Sequence, residues 1–356
     1  MYLHLNVNYT ELLELNLNMT NLIHNLFLEI TTECNLKCQI CDLWKRSDPS
    51  NKLTFNDKLK FLNEMCDWSE ENNLDARRNL NVILTGGEPF LFPNQVLTIS
   101  NICKENHIPC YINTNGSLLE PLIDKILNSG LTALTISLDS HHSTIHDNLR
   151  QSPGLFKSVI KVINFLLVRK RKDNYPIKIC VQSILGDWNI KEITEHVEFF
   201  ENLEIDGIQF QPIQYPFGHR VQFERYKESN YFPNSQDEID DAIGNLLQFK
   251  AEKGFIMNSV EEINLFRQYF KYPEFLPDNI KPCKARDQNL IIDVCGNVKF
   301  CFGKSVEPVD KIGNILIKKI DDLLNGREAT LVKESMRNCN RACGIMMCHI
   351  DSNSRD

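Results

Sequence analysis

The chain has 356 residues, 42% hydrophobic and 24% charged, a balance that supports a packed globular core with length for one large domain and an appendage. A net charge of −8, with no like-charge run beyond Arg169-Lys170-Arg171-Lys172, excludes a long phosphate-binding face and hence a nucleic-acid partner. Thirteen cysteines, an odd number, argue against a complete disulfide framework and for a reducing, cytoplasmic setting with metal clusters.

Residues 1–23 form an N-terminal extension. Its stretch from Met1 to Met19 carries Glu11 and Glu14, lacks a basic segment and a small-residue cleavage site, and is too short to span a membrane, so neither a signal peptide nor a membrane partner is expected. Short apolar, β-branched runs then recur at 26–30, 81–84, 111–113, 133–138, 177–184 and 207–212, each reading as a buried parallel strand. Helical patterns at 54–68, 95–106, 119–129, 155–168 and 190–200 lie between them, and the basic run at 169–172 caps a helix end. This alternation predicts an α/β fold over 24–216, with right-handed βα units on a parallel sheet. Residues 217–280 read as a helical bridge with helices at 236–253 and 260–270. Residues 281–356 form a last module that holds six of the thirteen cysteines.

The chemistry-bearing residues follow the strands, at the carboxyl edge where parallel α/β folds place ligands. Cys34, Cys38 and Cys41 come after the first strand. Three thiolates can hold three irons of a cubane [4Fe–4S] cluster and leave the fourth open, whereas an electron-carrying cluster is normally closed by a fourth cysteine. No His or fourth Cys follows within twenty residues of Cys41, which argues against a closed zinc site. Gly86-Gly87-Glu88-Pro89 follows the second strand. The two glycines let backbone approach a ligand closely, and Glu88 offers an acceptor to a cationic amine. Thr114-Asn115-Gly116 ends the third strand. On the fourth, Ser137 and Asp139 point the same way, toward a shared ligand or as a packed small residue and a turn cap. Arg150 suits a carboxylate ligand or lies on the surface. Gln182 in the fifth strand and Gln209 and Gln211 in the sixth are polar residues in buried runs and are expected at the barrel mouth. His141, His142 and His146, with no metal partner evident, read as solvated loop histidines.

In the last module, Cys283 is followed by twelve residues, Gly296, four residues and Cys301, and then by Cys339, Cys343 and Cys348. A hairpin is expected from 288–294, turning at Gly296-Asn297 into 298–301. Cys295, Cys66, Cys103, Cys110 and Cys180 read as buried thiols.

The segment from Glu29 to Cys41, together with Gly86 to Pro89, resembles the radical S-adenosylmethionine (SAM) superfamily. The resemblance implies a partial (β/α)6 TIM-like barrel. It implies a [4Fe–4S] cluster on Cys34, Cys38 and Cys41 whose open iron chelates SAM, and SAM contacts from Gly86, Gly87, Glu88, Pro89, Asn115, Ser137, Asp139, Arg150 and Gln182. The second cysteine group resembles the SPASM domain or its shorter relative Twitch. This implies one auxiliary cluster, [4Fe–4S], on Cys283, Cys301, Cys339 and Cys343, with Cys348 able to replace one of the last two; four thiolates suit zinc equally well.

The activity implied is that of a radical SAM oxidoreductase. It would cleave SAM reductively, take a hydrogen atom from a substrate carbon, and oxidise, crosslink or epimerise a precursor peptide or another natural product. A small metabolite such as an aminocyclitol, sugar or tetrapyrrole is the alternative substrate, and a non-catalytic iron–sulfur or zinc protein the alternative class. The implied partners are an external electron donor of the flavodoxin or ferredoxin type and a separate leader-peptide-binding protein.

Overall fold

The computed structural model describes residues 23–72, 80–214, 229–273, 284–302, 311–337 and 339. Six strands, β1 (Asn25–Thr31), β2 (Asn81–Gly86), β3 (Cys110–Thr114), β4 (Ala133–Ser137), β5 (Lys178–Leu185) and β6 (Gly207–Pro212), pair in parallel in chain order. Between them run α1 (Phe55–Asn72), α2 (Pro93–Glu105), α3 (Ile123–Leu127), α4 (Ser143–Arg150), α5 (Leu155–Asp173) and α6 (Ile193–Asn202). The sheet is not closed, so the architecture is a partial barrel with helices outside.

The period of two along each strand decides which side chains meet the helices and which face the hollow. Leu26, Leu28, Val82, Leu84, Ile112, Leu134, Ile136, Ile179, Val181 and Ile208 are at most 1% exposed and form the core under the helices. At about 1.5–3 kcal/mol for each fully buried side chain of this kind, these rows dominate the stability of the sheet. Helix α5 answers them with Val159, Val162, Ile163 and Leu166, the i, i+3, i+4, i+7 stripe of a helix packed on one face. Its last turn carries Lys170, Arg171 and Lys172, where cations oppose the helix dipole, as expected of that run.

The segment read as a bridge does more than connect. Helices α7 (Gln236–Lys253) and α8 (Val260–Lys271) flank a stretch in which Ile256 bridges Ile208 in parallel. The Asn258 amide there accepts from the Phe210 N–H at 2.6 Å and donates to the Phe210 carbonyl at 3.0 Å. The asparagine at Phe210 and the backbone of Phe255 and Met257 at Ile208 together cover the edge of β6 that a seventh strand would otherwise have to pair.

Beyond the short helix α9 (Ala285–Gln288), β7 (Asn289–Ile292) pairs in parallel with β1, register Asn25↔Asn289 to Leu28↔Ile292. The expected hairpin follows, to β8 (Asn297–Lys299), and β9 (Gly313–Asn314) pairs antiparallel with β8. The nine strands form one sheet, in the order β6-β5-β4-β3-β2-β1-β7-β8-β9. The last module thus extends the barrel sheet at its first strand, while α10 (Ile320–Asn325) packs against α1 and α11 (Arg327–Met336) against α9. Among the described residues, no helix is long and apolar enough to cross a membrane.

Candidate active site

The chain leaves β1 into a loop that is fastened at its base. Asp48 Oδ1 accepts from the Thr32 N–H at 2.7 Å and the Thr32 hydroxyl at 2.9 Å, while Oδ2 accepts from the Thr31 hydroxyl at 2.9 Å and Lys52 at 3.0 Å. Burial pushes the Asp48 carboxyl up, but these bonds outweigh it and hold it below the usual range. Lys58 is 4% exposed and donates to the Ile30 carbonyl at 2.6 Å; burial lowers its ammonium to about 8. No motif marked Asp48 or Lys58, because the contacts that make them matter are tertiary.

Cys34, Cys38 and Cys41 line one cavity of about 230 Å3, with none of them in a disulfide. Burial raises the Cys34 thiol and pushes Cys41 up to about 11. As bare thiols Cys34 and Cys41 stay protonated at neutral pH, so a metal cluster must displace their protons to bind. The loop offers compensation. The Leu43 N–H points at Cys41 Sγ at 3.4 Å, the Asn115 amide at Cys34 Sγ at 3.9 Å, and Arg150 Nη1 at Cys38 Sγ at 4.0 Å. Three soft donors on one short loop, faced by N–H groups and a guanidinium, suit a thiolate-ligated iron–sulfur cluster.

Gly86 and Gly87 also line the cavity. A Cβ on Gly86, which has φ +138°, would stand 2.2 Å from the Thr31 carbonyl oxygen, and one on Gly87 would stand 2.0 Å from that of Glu33. These glycines are required because the turn after β2 lies against the cluster loop, with Gly87 N–H donating to Thr31 O and Glu88 N–H to Glu33 O, each at 2.8 Å.

Glu88 and Asp139 sit differently from their expected roles as ligand contacts. Glu88 is 1% exposed and its carboxylate is spent inside the protein. Oε1 accepts from the Phe90 N–H at 3.0 Å and the Thr114 hydroxyl at 2.8 Å, and Oε2 accepts from the Asn115 N–H at 2.9 Å. Burial pushes this carboxyl up, against the pull of those bonds and of Arg150. Glu88 therefore ties the β2 end to the β3 end, and Pro89 is buried at the start of the following turn. Asp139 is fully buried, its Oδ2 2.7 Å from both Nε and Nη2 of Arg150 and its Oδ1 accepting from the Ile184 N–H at 3.2 Å. Ser137 lines the cavity, whereas Asp139 lies behind it, because β4 ends at Ser137 and the alternation of faces ends with it. Arg150 is not a surface residue. It spans the gap between Asp139 and the cluster loop and reaches the cavity wall.

Asn115 lines the cavity, its amide also donating to Asn35 Oδ1 at 2.9 Å. Gln182 and Gln211 face the hollow as expected, and Asn113, missed in the sequence, joins them. Asn113 Nδ2 donates to Gln182 Oε1 at 3.1 Å, and Gln182 Nε2 to Gln211 Oε1 at 2.9 Å. The ladder crosses the floor beside the small Ser137, while Gln209 is not part of the lining. A polar residue at each hollow-facing strand position was the signal that could have found Asn113.

His146 is wholly buried, not solvated: its Nδ1 accepts from the Asp139 N–H at 3.2 Å, and burial lowers the ring to about 4. Cys66, Cys103, Cys110 and Cys180 are buried as expected, but Cys295 is partly exposed at the hairpin turn. Of the second cysteine group, Cys301 and Cys339 are half-buried against the core, and Cys283, Cys343 and Cys348 lie outside the described residues.

The family model for the Radical SAM superfamily matches residues 28–200, so the chain carries a radical SAM domain. Proteins of that family use a [4Fe–4S] cluster and SAM. Among curated proteins, the chain is 29% identical over 187 residues to the AdoMet-dependent heme synthase of Methanosarcina barkeri, covering 52% of this chain and 49% of that protein. It is 26% identical over 300 residues to the probable GTP 3',8-cyclase of Methanocaldococcus jannaschii, covering 80% of this chain and 92% of that one. The chain thus spans about half the length of the first relative and most of the second. Among solved structures, Streptococcus suis SuiB bound to S-adenosylmethionine shares the fold, with a TM-score of 0.65 at 18% identity over 89% of this chain and 68% of that one. The same protein has also been solved bound to precursor peptide SuiA.

Proposed function

We propose that this protein is a radical SAM enzyme that modifies a peptide substrate in natural-product maturation. The observation that carries the reading is a single cavity whose wall combines Cys34, Cys38 and Cys41, the Gly86-Gly87 backbone, and a polar floor of Asn113, Gln182 and Gln211. When bound, the cluster and SAM supply reductive cleavage of the sulfonium and a 5′-deoxyadenosyl radical able to take a hydrogen atom from carbon. The chain's own part is binding and positioning. Cys34, Cys38 and Cys41 hold the cluster, and Gly86, Gly87, Asn115, Ser137 and Gln182 face the ligand from the strand ends. Glu88 and Asp139 brace those ends from behind, Arg150 reaches from Asp139 to the cavity wall, and the apolar Leu36, Ile40 and Ile213 exclude water. Cys283, Cys301, Cys339 and Cys343, with Cys348 in reserve, are the proposed ligands of an auxiliary cluster.

SuiB, which shares the fold over most of this chain and is known with a precursor peptide, supports a peptide substrate. A small metabolite is the second reading, favoured by the alignment to nearly the whole length of a GTP 3',8-cyclase. Anaerobic reconstitution with iron and sulfide, followed by assay of 5′-deoxyadenosine with a strong reductant, tests the activity. The product should form with the native chain and vanish in Cys34→Ala, Cys38→Ala and Cys41→Ala. Formation by all three variants would refute the proposed site. Stimulation by the peptide fraction of a source-cell extract supports the first reading, and stimulation by the small-metabolite fraction alone the second.

A further inference from the structure

A second group of metal-binding side chains lies outside the cavity. His141 and His142 follow β4 in the loop that leads into α4, and Glu192 ends the turn Ile190–Glu192 between β5 and α6. Fifty residues apart in sequence, they meet at one oxygen: His142 Nε2 is 3.0 Å and His141 Nε2 3.7 Å from Glu192 Oε2. The two rings stand 3.9 Å apart between centroids, and one donor atom of each of the three residues lies within 4.8 Å of the others.

We propose that His141, His142 and Glu192 bind one divalent transition-metal ion of the zinc class, with water completing its coordination, and that the ion staples the β4–α4 loop to the β5–α6 turn. The spacing suits a shared ion, since two ligands of a tetrahedral zinc at bond lengths of about 2.1 Å stand roughly 3.4 Å apart. The donor set, two imidazoles and one carboxylate, suits zinc, cobalt, nickel or copper rather than magnesium or calcium.

The state of His141 is a second, independent observation. Its Nδ1 is buried without a partner among the described residues, and its Nε2 is too far from Glu192 for a hydrogen bond. The Nε2 atom, outside hydrogen-bond range of Glu192, is therefore open to serve as a ligand.

The place in the fold gives the ion a task. Trp188 Nε1 and Asn189 Nδ2, from the segment that leads to Glu192, each donate to the Asp139 carbonyl at 2.9 Å. Asp139 in turn holds Arg150 beside Cys38. The ion adds a tie between the same two segments, one that is independent of the radical SAM reading.

The test uses the full chain with its clusters reconstituted anaerobically, dialysed against chelator-buffered zinc, and zinc and iron are counted per chain. His142→Ala and Glu192→Gln change residues that are 48% and 50% exposed, so the fold tolerates them. Each variant should hold about one zinc fewer than the native chain with the same iron content, and zinc should raise the melting temperature of the native chain more than that of either variant. Zinc bound adventitiously at cysteines cancels in this comparison. Equal zinc in all three proteins overturns the proposal, leaving only an exposed His–Glu ion pair. Zinc and iron falling together also overturns it, because the variants would then be acting through the cysteine sites.

Discussion

Glu88 offers the sharpest test of how the site is built, because it separates a carboxylate that touches the ligand from one that shapes the backbone. In Glu88→Gln the amide oxygen can keep the Phe90 and Thr114 donors, but the new NH2 group then faces the Asn115 N–H across 2.9 Å. One charge-assisted hydrogen bond is lost, at about 1.5–3 kcal/mol, and a buried N–H is left unpaired at about 1–3 kcal/mol, so the expected loss is about 3 kcal/mol. With a urea m-value of about 3 kcal/mol/M, the unfolding midpoint falls by about 1 M without a change in slope. Unfolding followed by circular dichroism measures this, and equilibrium dialysis of the reconstituted protein measures SAM affinity. An unchanged midpoint with SAM affinity reduced about tenfold or more would refute the reasoning, since that loss, about 1.4 kcal/mol, is what a direct ligand contact would give.

Gly87→Ala places a Cβ 2.0 Å from the Glu33 carbonyl oxygen, a contact only backbone movement can relieve, so the Cys34 loop is expected to shift and the chain to retain less iron after reconstitution and gel filtration. Arg150→Met leaves Asp139 as an unpaired buried charge and is expected to destabilise the protein by about 3–5 kcal/mol in chemical denaturation. The same change removes the cation facing Cys38 Sγ, so the reconstituted cluster should become harder to reduce in a spectroscopic redox titration. His146 is held neutral by burial, with its pKa lowered to about 4 from 6.5. Between those values the unfolded chain binds the proton that the folded chain refuses, so stability present above pH 6.5 is lost as pH falls toward 4. His146→Gln should flatten that part of the stability-against-pH curve relative to the native chain.

All six barrel strands were legible because each is a short apolar, β-branched run, with alternate residues buried under the helices. Residues 207–212 and 236–253 form elements with the very bounds expected of them. The helix expected at 119–129 is instead a turn of 3-10 helix, Glu120–Leu122, followed by the short α3, Pro121 standing near its start. The grouping of the site residues was legible too, since strand ends in a parallel sheet must converge. Their division of labour was not. Glu88, Asp139 and Arg150 carry charges that could serve a ligand or each other, and their bonds to each other and to the backbone appear only in the packed structure. His146 read as solvated because its buried partner, the Asp139 N–H, is a main-chain group that no side-chain pattern reveals. The seat of β7 against β1 leaves no local trace, since the paired residues Asn25 and Asn289 lie 264 positions apart.

That distant pairing bears on the order of assembly. The strand that leads into the Cys34 loop is flanked on one side by β2, made soon after it, and on the other by a strand that lies 264 positions further along the chain. Until ribosomes have released residues 289–292, one rim of β1 has bare peptide groups, and the Glu29 carboxylate lacks the Val294 N–H that it accepts from at 3.2 Å. Early loading of iron and sulfide would therefore meet a half-dressed cradle, so maturation of this site is expected to wait for the synthesis of β7.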